Sequence, residues 1–180
     1  MGDRISFSRE LLRFEEVAAS HSDIAKSIRF YYAAQLLEPR DPKFIGYSNP
    51  EIRQEQNLRL EDLDRNSVFG LLAALEATFR VDFLLRCHYR KKDDLSRFFR
   101  EVRRTKGDKV SFEHDILEGW KSHFASAKSL LSELKGAFRL RHWLAHGRWY
   151  NPKLGKKYDF SSVYQLAQAL DEELSLLSSA

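Results

Sequence analysis

Ser67-Val68-Phe69-Gly70-Leu71-Leu72-Ala73-Ala74-Leu75-Glu76-Ala77-Thr78-Phe79-Arg80-Val81-Asp82-Phe83-Leu84 is the most regular stretch of this chain. Val68, Phe69, Leu71, Leu72, Leu75, Phe79, Phe83 and Leu84 recur three and four residues apart, the spacing of a helix. They occupy more than one face, so this helix is expected in a core or a subunit interface. Glu76 and Arg80 stand one turn apart on it, in the order that favours an intrahelical ion pair.

The rest of the chain reads the same way. Its 180 residues include only four prolines and eight glycines, and β-branched residues are sparse. An all-α bundle of about six to eight helices in a single domain follows. Ser8 is expected to cap a helix through about Ala19, and His21-Ser22-Asp23 to open a second one ending near Glu38, before Pro39 and Pro42. Residues 38–50 read as an irregular connection, and Pro50 as the first turn of a short polar helix through about Leu60. Residues 1–60 thus hold N-terminal helices and 67–150 the bundle core. Asp93 or Asp94 caps a helix ending at Gly107, Ser111 starts another, and a long helix runs from about Ala125 to Trp149. Asp159 or Ser161 caps a last helix over 159–177.

Composition bounds the function. Apolar residues make up 43% and charged residues 31%, a globular balance, and the net charge is +4. Such a charge permits a polyanionic partner without requiring one. Cys87 is the only cysteine, which fits a reducing cytoplasm. No run approaches 18 apolar residues, and the first residues lack the apolar centre of a signal peptide, so no membrane association is expected. Met1-Gly2-Asp3-Arg4-Ile5-Ser6 meets the bare myristoylation pattern, but the acid after the glycine favours an ordinary start. Between Arg90 and Lys109 nine Lys/Arg face four acids, a local +5. That stretch is either a solvated helix face or a phosphate-contacting patch.

Chemistry concentrates at Phe138-Arg139-Leu140-Arg141-His142-Trp143-Leu144-Ala145-His146-Gly147-Arg148-Trp149-Tyr150. On a helical wheel Leu130, Leu134, Ala137, Phe138, Leu144 and Ala145 form an apolar arc that contains Arg141. A guanidinium there needs a carboxylate or phosphate partner. Pairing with Glu76 or another acid in a purely structural bridge is one reading, and phosphate binding is the other. Lys135, Arg139, His142 and His146 form an opposite, polar ridge. His142 and His146 have the i, i+4 spacing of zinc-binding helices, but the glutamate of that motif is missing and no third ligand suggests itself. Neither metal nor cofactor is expected.

The pattern Phe138-x-x-Arg141-His142-x-x-Ala145-His146-Gly147 resembles the HEPN superfamily, whose α-helical bundles carry an arginine followed four to six residues later by a histidine. Glu76 through Arg80 is similar to a Glu-x-x-x-Arg feature of many members. His142 stands where the family often has Asn or Asp, and Arg148 where one branch has tyrosine, with Tyr150 two further on. The resemblance implies a metal-independent endoribonuclease acting as a homodimer, often a toxin of a toxin–antitoxin or abortive-infection system. Alternatively, it implies a catalytically silent module that binds RNA, nucleotide or a protein partner. Under the first implication His146 moves the proton at the 2′- or 5′-oxygen, and Arg141 holds the scissile phosphate. Arg139, His142 and Arg148 position phosphate, Glu76 orients Arg141 or a water, and Arg80 and Tyr150 support the site. Trp143, Trp149 and Tyr150 could stack a base or simply pack.

Overall fold

The computed structural model describes residues 10–38 and 41–177. Six α-helices form a bundle: α1 (Phe14–Leu37), α2 (Asn49–His88), α3 (Asp94–Lys106), α4 (Glu118–His123), α5 (Lys128–Ala145) and α6 (Phe160–Glu173). A π-helical turn, Phe112–Leu117, leads directly into α4. The described residues contain no strand. None of their helices is long and apolar enough to cross a membrane.

The axis of the bundle is α2, whose 40 residues span about 60 Å at 1.5 Å per residue. It packs against α1, α3, α5, α6 and the π turn. Its start follows from sequence: Pro50 occupies the first turn, and Glu51 Oε2 accepts from Ser48 N at 2.7 Å and Ser48 Oγ at 2.6 Å. The break expected between Leu60 and Ser67 does not occur. Residues 61–66 contain neither proline nor glycine, and Arg65 ties back to Glu61 at 3.0 Å and Asp62 at 2.8 Å within the helix. Ser67, expected to open a helix, is instead buried inside one and meets His21 Nδ1 at 3.0 Å.

The same correction applies to α1, which runs unbroken where two helices were expected. Ser20-His21-Ser22-Asp23 offers capping side chains but nothing that forces the backbone out of helical angles. Its histidine fastens the helix instead, stacking on Phe160 with ring centroids 3.7 Å apart. Ser8, Pro39 and the Met1–Ser6 pattern lie outside the described residues. The connection to α2 contains a 3-10 turn, Pro42–Phe44, with Asp41 accepting from Lys43 N at 3.0 Å.

Expected helix stops and caps at α3 and α6 are present. Asp93 accepts from Ser96 N at 2.9 Å, Gly107 ends α3 with φ +53°, and Asp159 accepts from Ser162 N at 3.0 Å. The main core joins Leu71, Leu72, Phe79 and Phe83 of α2 to Phe99, Phe112, Trp120, Leu134, Phe138 and Leu166. A smaller cluster of Tyr32, Phe44 and Ile52 holds the far ends of α1 and α2 together. Close approach is built in at Gly136, where a Cβ would collide with the Tyr158 hydroxyl.

The motif helix is shorter than its pattern implied, because α5 starts at Lys128 and ends at Ala145. Gly147 adopts φ +76° and Arg148 φ +61°. Arg148 N donates to Trp143 O at 3.0 Å, the six-to-one bond that closes a helix at a left-handed glycine. Trp149 and Tyr150 therefore leave the helix. The buried arc is also wider than expected: Leu131 and Leu140 join Leu134, Ala137 and Phe138, whereas Ala145 is exposed. In the last turn of α5 Trp143 and Leu144 still pack against the core, while Arg139, His142 and His146 of the polar ridge are exposed.

Candidate functional site

Glu76, on the face of α2 that meets α5, grips two arginines. Its Oε1 accepts from Arg80 Nε at 2.8 Å, and its Oε2 pairs with Arg141 Nη2 at 3.0 Å. One carboxylate thus fixes a guanidinium from its own helix and one from α5. Aromatic rings lie beneath both: Arg80 over Phe112 at 5.6 Å, Arg141 over Phe138 and Phe69 at 5.7 Å each. Phe112 and Phe138 touch, with centroids 4.7 Å apart. Such ring faces favour a cation and hold the guanidinium planes in place.

Arg141 sits at the centre of the buried arc but beyond the last well-packed turn, so its side chain stays 27% exposed. Its Nε is buried with no hydrogen-bond partner among the described residues. That atom is closed off from solvent, so what can meet a ligand is the part of the guanidinium that stays exposed.

These groups border a cleft of about 400 Å³ that also takes in Ser111, Glu113, His114 and His142. His142 Nε2 lies 3.0 Å from Glu113 Oε1. The Glu113 segment is itself anchored: Asp115 binds Lys106 at 2.5 Å and accepts from Ser111 N at 2.8 Å. Burial works to raise the Asp115 carboxyl, but the lysine and the backbone N–H outweigh it and hold the group below the usual range. Lys135 bonds Glu118 at 2.7 Å, which depresses that carboxyl and ties α5 to α4. With its imidazoles neutral the cleft balances two carboxylates against two guanidiniums, and each protonated histidine adds one positive charge.

The structure therefore brings together four of the residues singled out from sequence: Glu76, Arg80, Arg141 and His142. The others stand apart from the cleft lining. His146 caps the end of α5, its exposed ring parallel to that of His142 at 6.4 Å. Arg139 is exposed on the side of α5 where its charge acts on Tyr158. Arg148 lies 3.6 Å from Asp62, fourteen residues before Glu76 and so about 21 Å from it along α2. Tyr150 uses its carbonyl to accept from Trp143 Nε1, while its ring leans on exposed Trp149.

Glu113 and His114 are the residues that sequence reasoning missed. They sit in the π turn, and no periodicity links position 113 to position 142. No group of three or more His, Cys, Asp or Glu side chains placed to hold a metal occurs among the described residues. Comparison of the chain with protein-family models, curated proteins and solved structures found no match.

Proposed function

We propose that this chain is a HEPN-like, metal-independent endoribonuclease that works as a homodimer, in a toxin–antitoxin or phage-defence setting in the cytoplasm. The observation that supports the reading is the pair of guanidiniums, Arg80 and Arg141, held by Glu76 beside a histidine-bordered cleft. A planar multi-donor group suits the non-bridging oxygens of a phosphodiester and the charge that builds on them.

In this reading His146 removes the proton from the 2′-OH, and the 2′-oxygen forms a bond to the adjacent phosphorus. The bond from phosphorus to the 5′-oxygen breaks, and that oxygen takes up a proton from the protonated imidazole or from water. The products are a 2′,3′-cyclic phosphate and a free 5′-OH. Arg141 and Arg80 hold the phosphate, and His142, already oriented by Glu113, acts beside them. A second copy of the motif across a two-fold axis completes the site, because one copy leaves His146 outside its own cleft. Arg139 and Arg148 serve neighbouring phosphates.

A second reading, a silent module that binds RNA, nucleotide or a protein such as an antitoxin, is favoured by one feature. Both arginines and His142 already have carboxylate partners. Purified protein incubated with structured and single-stranded RNA separates the two. The nuclease reading expects cleavage at defined sites, cyclic phosphate ends, and indifference to EDTA. His146→Ala should slow it on the order of 10²- to 10⁴-fold. Binding without cleavage supports the silent module, and an unchanged His146→Ala rate would overturn the assignment of His146.

A further inference from the structure

A second cavity, about 700 Å³, is lined by none of the cleft residues. It lies on the other side of α5, reached by Leu140 and Trp143 rather than by Arg141 and His142, and it is bordered by α2 and the start of α6. Its volume is that of a small-molecule site.

Four ring systems line it: His21, Trp143, Tyr158 and Phe160. Each is held in place. His21 stacks on Phe160 and bonds Ser67, Trp143 donates to Tyr150 O, and Tyr158 donates to Glu133 O at 3.4 Å. Leu60, Val68 and Leu140 add apolar wall. A cavity of fixed aromatic faces attracts a cation through the ring quadrupoles, provided a counter-charge is at hand.

Asp64 supplies it. Both of its oxygens accept from Phe160 N, at 3.3 and 3.2 Å, yet among the described residues no cationic side chain pairs with it. The two cations on the lining are otherwise engaged, Arg65 by Glu61 and Asp62 and Lys157 by Asp159 at 3.8 Å. Counting Glu61, Asp64 and Asp159 against Arg65 and Lys157, with His21 neutral, the lining carries one net negative charge. The charge of Asp64 reaches into the aromatic wall: burial lowers the pKa of His21, and Asp64 works against that shift.

We infer that this cavity binds an organic cation, an amine whose ammonium sits by Asp64 and whose hydrocarbon lies among His21, Trp143, Tyr158 and Phe160. The inference stands independently of any nuclease activity, because it involves none of the cleft residues.

Benzylamine, benzyl alcohol and benzoate test it, with the Trp143 indole N–H followed by NMR on the full chain. Benzylamine should saturate the signal, with the alcohol at least about tenfold weaker and benzoate without effect. Asp64→Asn, whose amide oxygen can still accept from Phe160 N, should abolish the preference for amine over alcohol. Lys157→Ala, at an exposed position, should tighten benzylamine about threefold. Equal binding of amine and alcohol, no binding at Trp143, or an Asp64→Asn protein with the wild-type preference would overturn the proposal. The wild-type comparison decides the matter even if Asp64→Asn does not fold.

Discussion

Two carboxylates of α2, Asp82 and Glu76, hold arginines, Arg86 of the same helix and Arg141 of α5, and the two pairs are built differently. Arg86 is enclosed: its Nε meets both oxygens of Asp82 at 3.0 and 2.9 Å, and its Nη2 donates to Ser175 O at 3.1 Å. Its Nη1 lies 3.4 Å from Asp93, and its guanidinium covers Trp120 at 4.7 Å. Asp82 is fully buried and also accepts from Leu177 N at 2.9 Å. Arg141 instead has, among the described residues, one carboxylate contact and an unpartnered Nε, with an open cleft beside it. A guanidinium whose donors are all engaged stitches the chain together and has nothing left for a ligand. One that is fixed but only partly satisfied can still bind an anion.

The comparison breaks most visibly at Arg86. Arg86→Ala strands the Asp82 carboxylate in the interior, and about 3–5 kcal/mol of stability should go, read as a fall in the urea midpoint. Burial already pushes the Asp82 carboxyl up, against the pull of the Leu177 N–H and of Arg86, so losing Arg86 raises it further. Gly136→Ala sharpens the other side. The added methyl meets the Tyr158 hydroxyl and should shift α5 at a cost of about 1–3 kcal/mol in the same assay. Gly147→Ala places a side chain at φ +76° and should cost about 1–2 kcal/mol. It should also loosen the end of α5 that holds His146, which NMR relaxation of that turn would detect.

His21 gives the smallest effect, a pH slope. Burial lowers its pKa despite Asp64, so below the ordinary histidine value the unfolded chain binds protons that the folded one resists. Stability should therefore fall as pH drops from that value toward the depressed folded one. Urea midpoints between pH 8 and pH 5 should drop less for His21→Asn than for wild type.

Much of this was legible from local chemistry. The caps at Asp93 and Asp159 and the stop at Gly107 depend on a few adjacent residues, and the sequence places them well. The Glu76–Arg80 pair was legible for the same reason, whereas Arg141 was legible only as a guanidinium in need of a carboxylate or phosphate, with Glu76 one acid among several. Helix continuity was not, because Ser22, Asp23 and Ser67 can all cap a helix. Whether they do depends on distant partners, such as His21 packing against Ser67 and Phe160. A helix opening at Ser111 was legible, and Ser111 caps one there; its π character, and with it the placement of Glu113 beside His142, was not, because six residues carry too little periodicity to distinguish the two kinds of turn. A helix expected through Trp149 overran its true end at Ala145, since that expectation ignored what Gly147 does to the backbone.

On the proposed function, Arg141 is held for a ligand, whereas Arg86 is held for the fold. The cleavage rate of a defined RNA by Arg141→Ala, measured beside its urea midpoint, tests this most directly. The rate should fall about 10²- to 10³-fold with stability changed by no more than about 1 kcal/mol. An Arg141→Ala protein that cuts at the wild-type rate, or that loses activity only because it unfolds as Arg86→Ala does, would contradict it.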